Sequence, residues 1–215
     1  MSEKDEAKER ETYGLNRILA LTDGVFAIAA TLLVVDLFVP TLSADATSAD
    51  LWNALAGEYH IFLAYLLSFF ILGVWWNAHH RHYKLIHRSD ATLRWLNLLL
   101  LLTIGLLPFF TKILAEYGPL QAAVALYALD QGAAGLFVML SWVYASKNHK
   151  LLEKNLPDET IKLTSMRSAI APIIFFASIG VSFIDTYAAY ATWIILMPFF
   201  AIVTILGRKN KSKTT

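Results

Sequence analysis

The chain has 215 residues, 57% of them apolar and only 16% charged, with a formal net charge of +1. A soluble domain carries nearer a quarter charged residues, so this composition excludes a water-soluble globular protein and indicates one embedded in a membrane. The absence of cysteine removes disulfides, thiolate chemistry and cysteine-held metals together.

The first sixteen residues are dense in Lys, Arg, Glu and Asp. They lack an apolar core or a small-residue cleavage site, so residues 1–16 read as a cytoplasmic segment and not as a secretory leader. Apolar runs long enough to cross a hydrocarbon core of ~30 Å follow at 18–39, 59–78, 93–114, 120–145, 168–186 and 188–206. They are predicted to be six helical spans, because backbone in lipid must satisfy its own hydrogen bonds. Pro40 closes span 1, Gly118-Pro119 separates spans 3 and 4, and Asp185-Thr186-Tyr187 divides spans 5 and 6. Pro108, Pro172 and Pro198 fall inside spans, as kinks that neighbouring helices accommodate. Of the 18 Lys and Arg residues, only Lys112 lies on the side opposite the termini. By the positive-inside rule both ends of the chain are cytoplasmic. Residues 17–206 then form one transmembrane domain, and 207–215 a basic cytoplasmic tail.

Span 1 carries two unlike faces. At about 100° per residue, Leu21, Ile28, Thr31, Leu32, Val35 and Val39 form a narrow aliphatic stripe, which on its own suits lipid or ordinary helix packing. Asp23 stands on the opposite face. A carboxylate there must meet protein or water, because lipid makes it costly. Its position off the stripe favours a hydrogen-bonded clamp to spans 2 and 3 over contact with a passing ion. Arg17 is expected at the cytoplasmic mouth or within that clamp. The external loop, about 40–58, holds Asp45, Asp50 and Glu58 and no basic residue. It reads as a solvated loop, or as acidic groups that would enrich cations around a mouth.

Span 2 ends in Trp75-Trp76-Asn77-Ala78-His79-His80-Arg81-His82. Trp76, His79 and His80, at i, i+3 and i+4, place an indole N–H and two imidazoles on one face, level with Asp23. Four histidines (His79, His80, His82, His87) are numerous enough for a metal site. Arg81, Lys84 and Arg88 are interleaved with them and only Asp90 is nearby, so no metal is expected. Span 3 opens near Asn97. Span 4 contains Asp130-Gln131, expected as an interhelical or intersubunit contact, with an ion pathway as the minor alternative.

The run Arg17, Leu21, Thr22, Asp23, followed by Gly24-Val25-Phe26-Ala27-Ile28, resembles the Arg-x-x-x-Phe-Ser-Asp helix that opens each repeat of the transmembrane protein 175 family of potassium channels. Leu21 and Thr22 replace Phe and Ser, keeping size class and hydroxyl. Trp76 followed by His79-His80 resembles the family's second signature, and Asn97 with Leu107-Pro108-Phe109 resembles its third helix. Spans 4 to 6 resemble the family in length and hydropathy alone.

The resemblance implies an all-α integral membrane fold with six transmembrane helices per subunit, in a homotetrameric channel whose pore is lined by helix 1. It implies a constriction of aliphatic rings, here Ile28, Thr31, Leu32 and Val35, that passes potassium and other monovalent cations. No carbonyl filter of the Thr-Val-Gly-Tyr-Gly kind is present. Arg17, Thr22, Asp23, Trp76, His79, His80 and Asn97 are expected to form the structural network behind that ring. The expected partners are further copies of the chain, the permeant ion and the bilayer of the cell membrane. No cofactor, metal, nucleic acid or enzymatic activity is expected. The alternative is a proton-coupled secondary transporter using Asp23, Asp130 and Asp185, with Gly24, Gly132 and Gly135 hinting at a broken helix.

Overall fold

The computed structural model describes residues 3–195 apart from Asp36, Phe38 and Lys154, with side chains from Tyr13 onward. The described residues are helical in α1 (Glu3–Val35), α2 (Ser48–Gly57), α3 (Tyr59–Tyr83), α4 (Ala91–Tyr117), α5 (Gln121–Ser146) and α6 (Asp158–Ser182). Helical turns continue over 186–195. Five segments are long and apolar enough to cross a membrane: Tyr13–Val35, Tyr59–Tyr83, Ala91–Tyr117, Gln121–His149 and Asp158–Ser182. The rest of the predicted sixth span, Pro198 and the basic tail lie outside the described residues.

Several boundaries differ from the sequence reading. Helix α1 stops at Val35 and not at residue 39. Proline at position 40 biases the residue before it away from helical geometry, and Leu37 N–H closes the end onto the Val34 carbonyl at 3.1 Å. Helix α6 begins ten residues before the predicted span. Pro157 stands at its N-cap with φ −61° and ψ 137°, and Asp158 and Glu159 occupy the first turn, where carboxylates complement the helix dipole. Its first turns carry Lys162 and Arg167, so a hydropathy reading places the start too late. The segment 40–58, expected to be an external loop, contains α2. Likewise α1 runs unbroken through the 16/17 boundary.

Helix α5 is the hub. It packs extensively on α4 and on α6, while α1 lies at the edge against α4 and α3. The main core joins Phe26 and Leu33 of α1, Ile71 and Trp75 of α3, Ile104 and Leu107 of α4, Tyr127 of α5 and Phe175 of α6, with Trp193 beyond. A second cluster at the basic end gathers Leu15, Tyr83, Ile86, Leu93, Trp142 and Leu152. There the α3–α4 and α5–α6 connections meet: Ile86 bridges Leu152, and His87 N–H donates to the Leu151 carbonyl at 2.9 Å. Asp90 caps α4 by accepting from Leu93 N–H at 2.9 Å. It also accepts from the Tyr144 hydroxyl and pairs with Lys150 at 3.2 Å. Partial burial works against the Asp90 charge, yet these donors hold its carboxyl below the usual range.

Glycine sets the spacing around α5. A β-carbon built at Gly135 would stand 2.6 Å from the Trp75 ring and 3.1 Å from Pro172, and one at Gly132 would stand 2.8 Å from the Phe176 ring. Both glycines therefore admit neighbours, and α5 is continuous through them. Gly135→Ala is expected to lower the thermal unfolding midpoint in detergent. Overpacking costs about 1–3 kcal/mol, against about 1 kcal/mol recovered from helix propensity. Gly180→Ala, where nothing lies within 4 Å, should hold or raise it.

Candidate pore-lining helix and its polar anchor

The two faces of α1 separate cleanly. Phe26, Ala29 and Leu33 are buried against the bundle, while Ile28 is 60% exposed, Leu32 46% and Val35 73%. Leu21 and Thr31 are exposed as well. Among the described residues the aliphatic stripe therefore has little cover from its own chain. Thr31 donates its hydroxyl hydrogen to the Ile28 carbonyl at 2.8 Å, the back-bond that mid-helix threonine commonly makes.

Two neighbouring residues fasten the other side, each to a different helix. The Thr22 side chain is wholly buried and accepts from Asn97 Nδ2 of α4 at 3.0 Å. Asn97 Oδ1 in turn lies 2.9 Å from His79 Nε2 of α3. One amide thus links three helices, and both its ends are used. Asp23 accepts from the Trp76 indole N–H at 2.9 Å, and His80 stacks on that indole with ring centroids 5.4 Å apart. The sequence reading assigned contacts to spans 2 and 3 to Asp23. The structure divides them, giving the α3 bond to Asp23 and the α4 bond to Thr22. It also separates His79, buried beside Asn97, from His80 and Trp76 at the surface. Arg17 lies over the Tyr13 ring at 5.9 Å; by the helical wheel it shares the stripe of Ile28.

Asp23 and Trp76 sit in an apolar groove of about 370 Å³ between α1 and α3, together with Phe26, Ala27, Ala30, Phe69, Leu72 and Gly73. Asp23 itself is exposed on the single chain. The histidines disperse: His82 packs against the Trp142 ring at a tilt of 34° and His87 faces Glu153 at 3.7 Å. Among the described residues, no three His, Asp or Glu side chains are arranged to hold a metal.

The other intramembrane polar residues also make helix contacts. Trp75 Nε1 donates to Gln131 Oε1 at 2.8 Å, and Gln131 Nε2 donates to Asp130 Oδ2 at 2.7 Å, so this pair ties α5 to α3. Asp185 accepts from Tyr187 N–H at 2.7 Å, as a cap on the helical turns that follow. The three carboxylates of the transporter alternative thus make separate local contacts. Sequence reasoning missed the hydroxyl string Thr111–Ser68–Tyr127, with links of 2.8 and 3.0 Å. Single hydroxyls recur in apolar helices, and nothing local marked these three.

The anchor should be measurable in isolation. Asn97→Ala removes the partner of both Thr22 and His79 and strands two buried polar groups, at about 1–3 kcal/mol each; a clear drop in detergent unfolding temperature is expected. Asp23→Asn keeps an acceptor for Trp76, so it should cost less than Asp23→Ala. Equal stability of wild type and Asn97→Ala would show that the amide carries no load.

The family described as the endosomal/lysosomal potassium channel TMEM175 matches residues 17–108. A Streptomyces collinus protein named as a potassium channel is 32% identical over 173 residues, covering 79% of this chain and 82% of that protein. A Chamaesiphon minutus protein, also named as a potassium channel, is 31% identical over 200 residues, covering 92% of this chain and 97% of its own. The crystal structure of a lysosomal potassium-selective channel TMEM175 homologue from Chamaesiphon minutus superposes with a TM-score of 0.77 at 28% identity, over 88% of this chain and 97% of that one.

Proposed function

This chain belongs to the TMEM175 family of membrane proteins, and on that premise we propose that it is the subunit of a potassium-permeable channel. The observation that carries the proposal is the division of α1. One face is bonded to α3 and α4 through Asp23 and Thr22. The other is an aliphatic row that the described residues leave exposed.

The proposed assembly is a homotetramer with six spans per subunit. One helix cannot enclose a pore, and closed symmetry is the economical way to bring several copies around an axis. The open groove beside Asp23 supports self-association, since an intramembrane carboxylate at a protomer's surface calls for protein cover. The basic residues orient both termini toward the cytoplasm. In this reading residues 17–206 are the channel domain in the cell membrane, with residues 1–16 and 207–215 outside the bilayer.

The constriction is proposed at Ile28, with Leu32 and Val35 beyond it and Thr31 between. A ring of branched aliphatic side chains leaves a neck that water fills reluctantly, so an ion crosses at the cost of shedding hydration. Potassium holds its water less tightly than sodium and pays less. Arg17, Thr22, Asp23, Trp76, His79, His80 and Asn97 serve as a frame that sets the angle of the ring. No cofactor enters this mechanism; the only small species is the permeant cation.

Ile28→Asn should wet the neck and supply amide oxygens. Single-channel recordings in bilayers should then show higher conductance and a weaker preference for potassium over sodium. If the assembled variant conducts and selects as the parent does, the neck is not at Ile28. Native mass measurement in detergent should give four copies of the 24.1 kDa chain. A monomer that still conducts would sink the pore reading.

A further inference from the structure

Among the described helices of the bundle, α2 touches chiefly the start of α3, and none of its ten residues is buried. At about 15 Å it is half the length needed to cross a bilayer. Local chemistry fixes it as a helix. Thr47 Oγ1 accepts from Asp50 N–H at 3.3 Å, and Asp50 Oδ2 accepts from Thr47 N–H at 2.8 Å, a reciprocal cap that satisfies two otherwise open donors. Thr47 holds the Asp50 carboxyl below its usual range, so that side of the helix stays ionised.

The helix is amphipathic. At about 100° per residue, Leu51, Leu55, Trp52 and Ala56 share one arc, and Asp50 and Asn53 face the other way. Trp52 is 71% exposed and Leu51 42%, so the apolar arc is not spent on the bundle. Its position is also constrained. Glu58 is at once the C-cap of α2 and the N-cap of α3, which leaves one residue between this helix and a membrane span. Tyr59, Phe62 and Leu63 are exposed at the start of that span, with His60 beside them, so the uncovered apolar surface of α2 continues onto the Tyr59–Leu63 face of a helix that enters the bilayer.

We propose that α2 is an interfacial helix. It lies in the membrane surface at the end where α1 stops, with Leu51 and Trp52 set into the headgroup–acyl boundary and Asp50 and Asn53 toward water. Amphipathic helices of this kind bury the apolar face about 5–10 Å into the interface, and the Trp52 indole suits that depth, apolar in body with one polar N–H. Residues 40–58 contain no Lys or Arg, so the seating rests on apolar burial and does not require anionic lipid. The inference depends on α1 and α3 being membrane spans and is independent of conduction and of subunit number.

The absence of cysteine makes a clean test available on the full chain. Single substitutions Leu51→Cys, Trp52→Cys and Asn53→Cys, each carrying a nitroxide, are placed in nanodiscs of phosphatidylcholine with and without phosphatidylglycerol. Collision with oxygen, which concentrates in lipid, is compared with collision with a water-soluble nickel chelate. The oxygen-to-nickel ratio at positions 51 and 52 should exceed that at 53 several-fold, equally in both lipids. The Leu51→Cys label reads depth with Trp52 still in place, and adding Trp52→Asp should lower its ratio. High nickel access at all three positions would overturn the proposal in favour of a solvated helix. Low access to both reagents at 51 and 52 would overturn it in favour of cover by protein, such as a second copy.

Discussion

Everything about α1 depends on how polar groups are paid for inside hydrocarbon. Asn97 meets Thr22 and His79 at 3.0 and 2.9 Å, so three helices are fixed by a residue with no apolar alternative. An unpaired amide, hydroxyl or imidazole in that setting costs several kcal/mol. Rotating α1 would break the bonds of Thr22 and Asp23 together, since the two are consecutive and reach α4 and α3 on different sides. Two bonds to two helices specify an azimuth where one would leave a hinge. The direction in which Ile28 points is thereby set without any contact to Ile28 itself.

The same device recurs through the bundle. Of six tryptophans, four donate an indole N–H to a side chain elsewhere: Trp75 to Gln131, Trp76 to Asp23, Trp142 to Ser165 and Trp193 to Ser178. Each supplies a large apolar body to the packing and one directed bond to the register. Apolar packing alone is poorly directional between helices in lipid, where the tails are as apolar as leucine. Small residues complete the arrangement, because Gly135 lets Trp75 come close enough for its bond to Gln131, and Gly132 admits the Phe176 ring beside it.

How much of this was legible from sequence follows from the same physics. Asp23, Trp76, His79 and Asn97 announced themselves, since a polar residue in a membrane run needs a reason. The partner of Asp23 is expected among Trp76, His79 and His80, and Trp76 is the one; the partners of Asn97 are not legible in the sequence. Periodicity places residues on one helix's face and says nothing of which neighbour presents the partner, so the resemblance puts Thr22 in the network while its bond to α4 is visible only in the structure. The helical wheel separated Ile28 from the buried side correctly in angle, but only packing distinguishes a face that is merely apolar from one that is bare. The starts of α6 and the existence of α2 escaped because hydropathy reports membrane depth, and both lie where charge and helix coexist. Thr47 with Asp50 three residues on was the available signal for α2, a capping pattern with Asp in place of the usual Glu or Gln.

Thr31 has one hydroxyl hydrogen, and its helix has already taken it: the proton points back to the Ile28 carbonyl. What remains on the outward side of that oxygen is a pair of lone pairs. Around the proposed axis, a threonine so arranged offers electron density to whatever passes and has no hydrogen to give. A halide seeking a donor would find none there, whereas a metal cation that has lost part of its shell would find a ligand. Discrimination by sign of charge can thus be written into the orientation of a single O–H bond, in a stretch of helix that carries no formal charge at all.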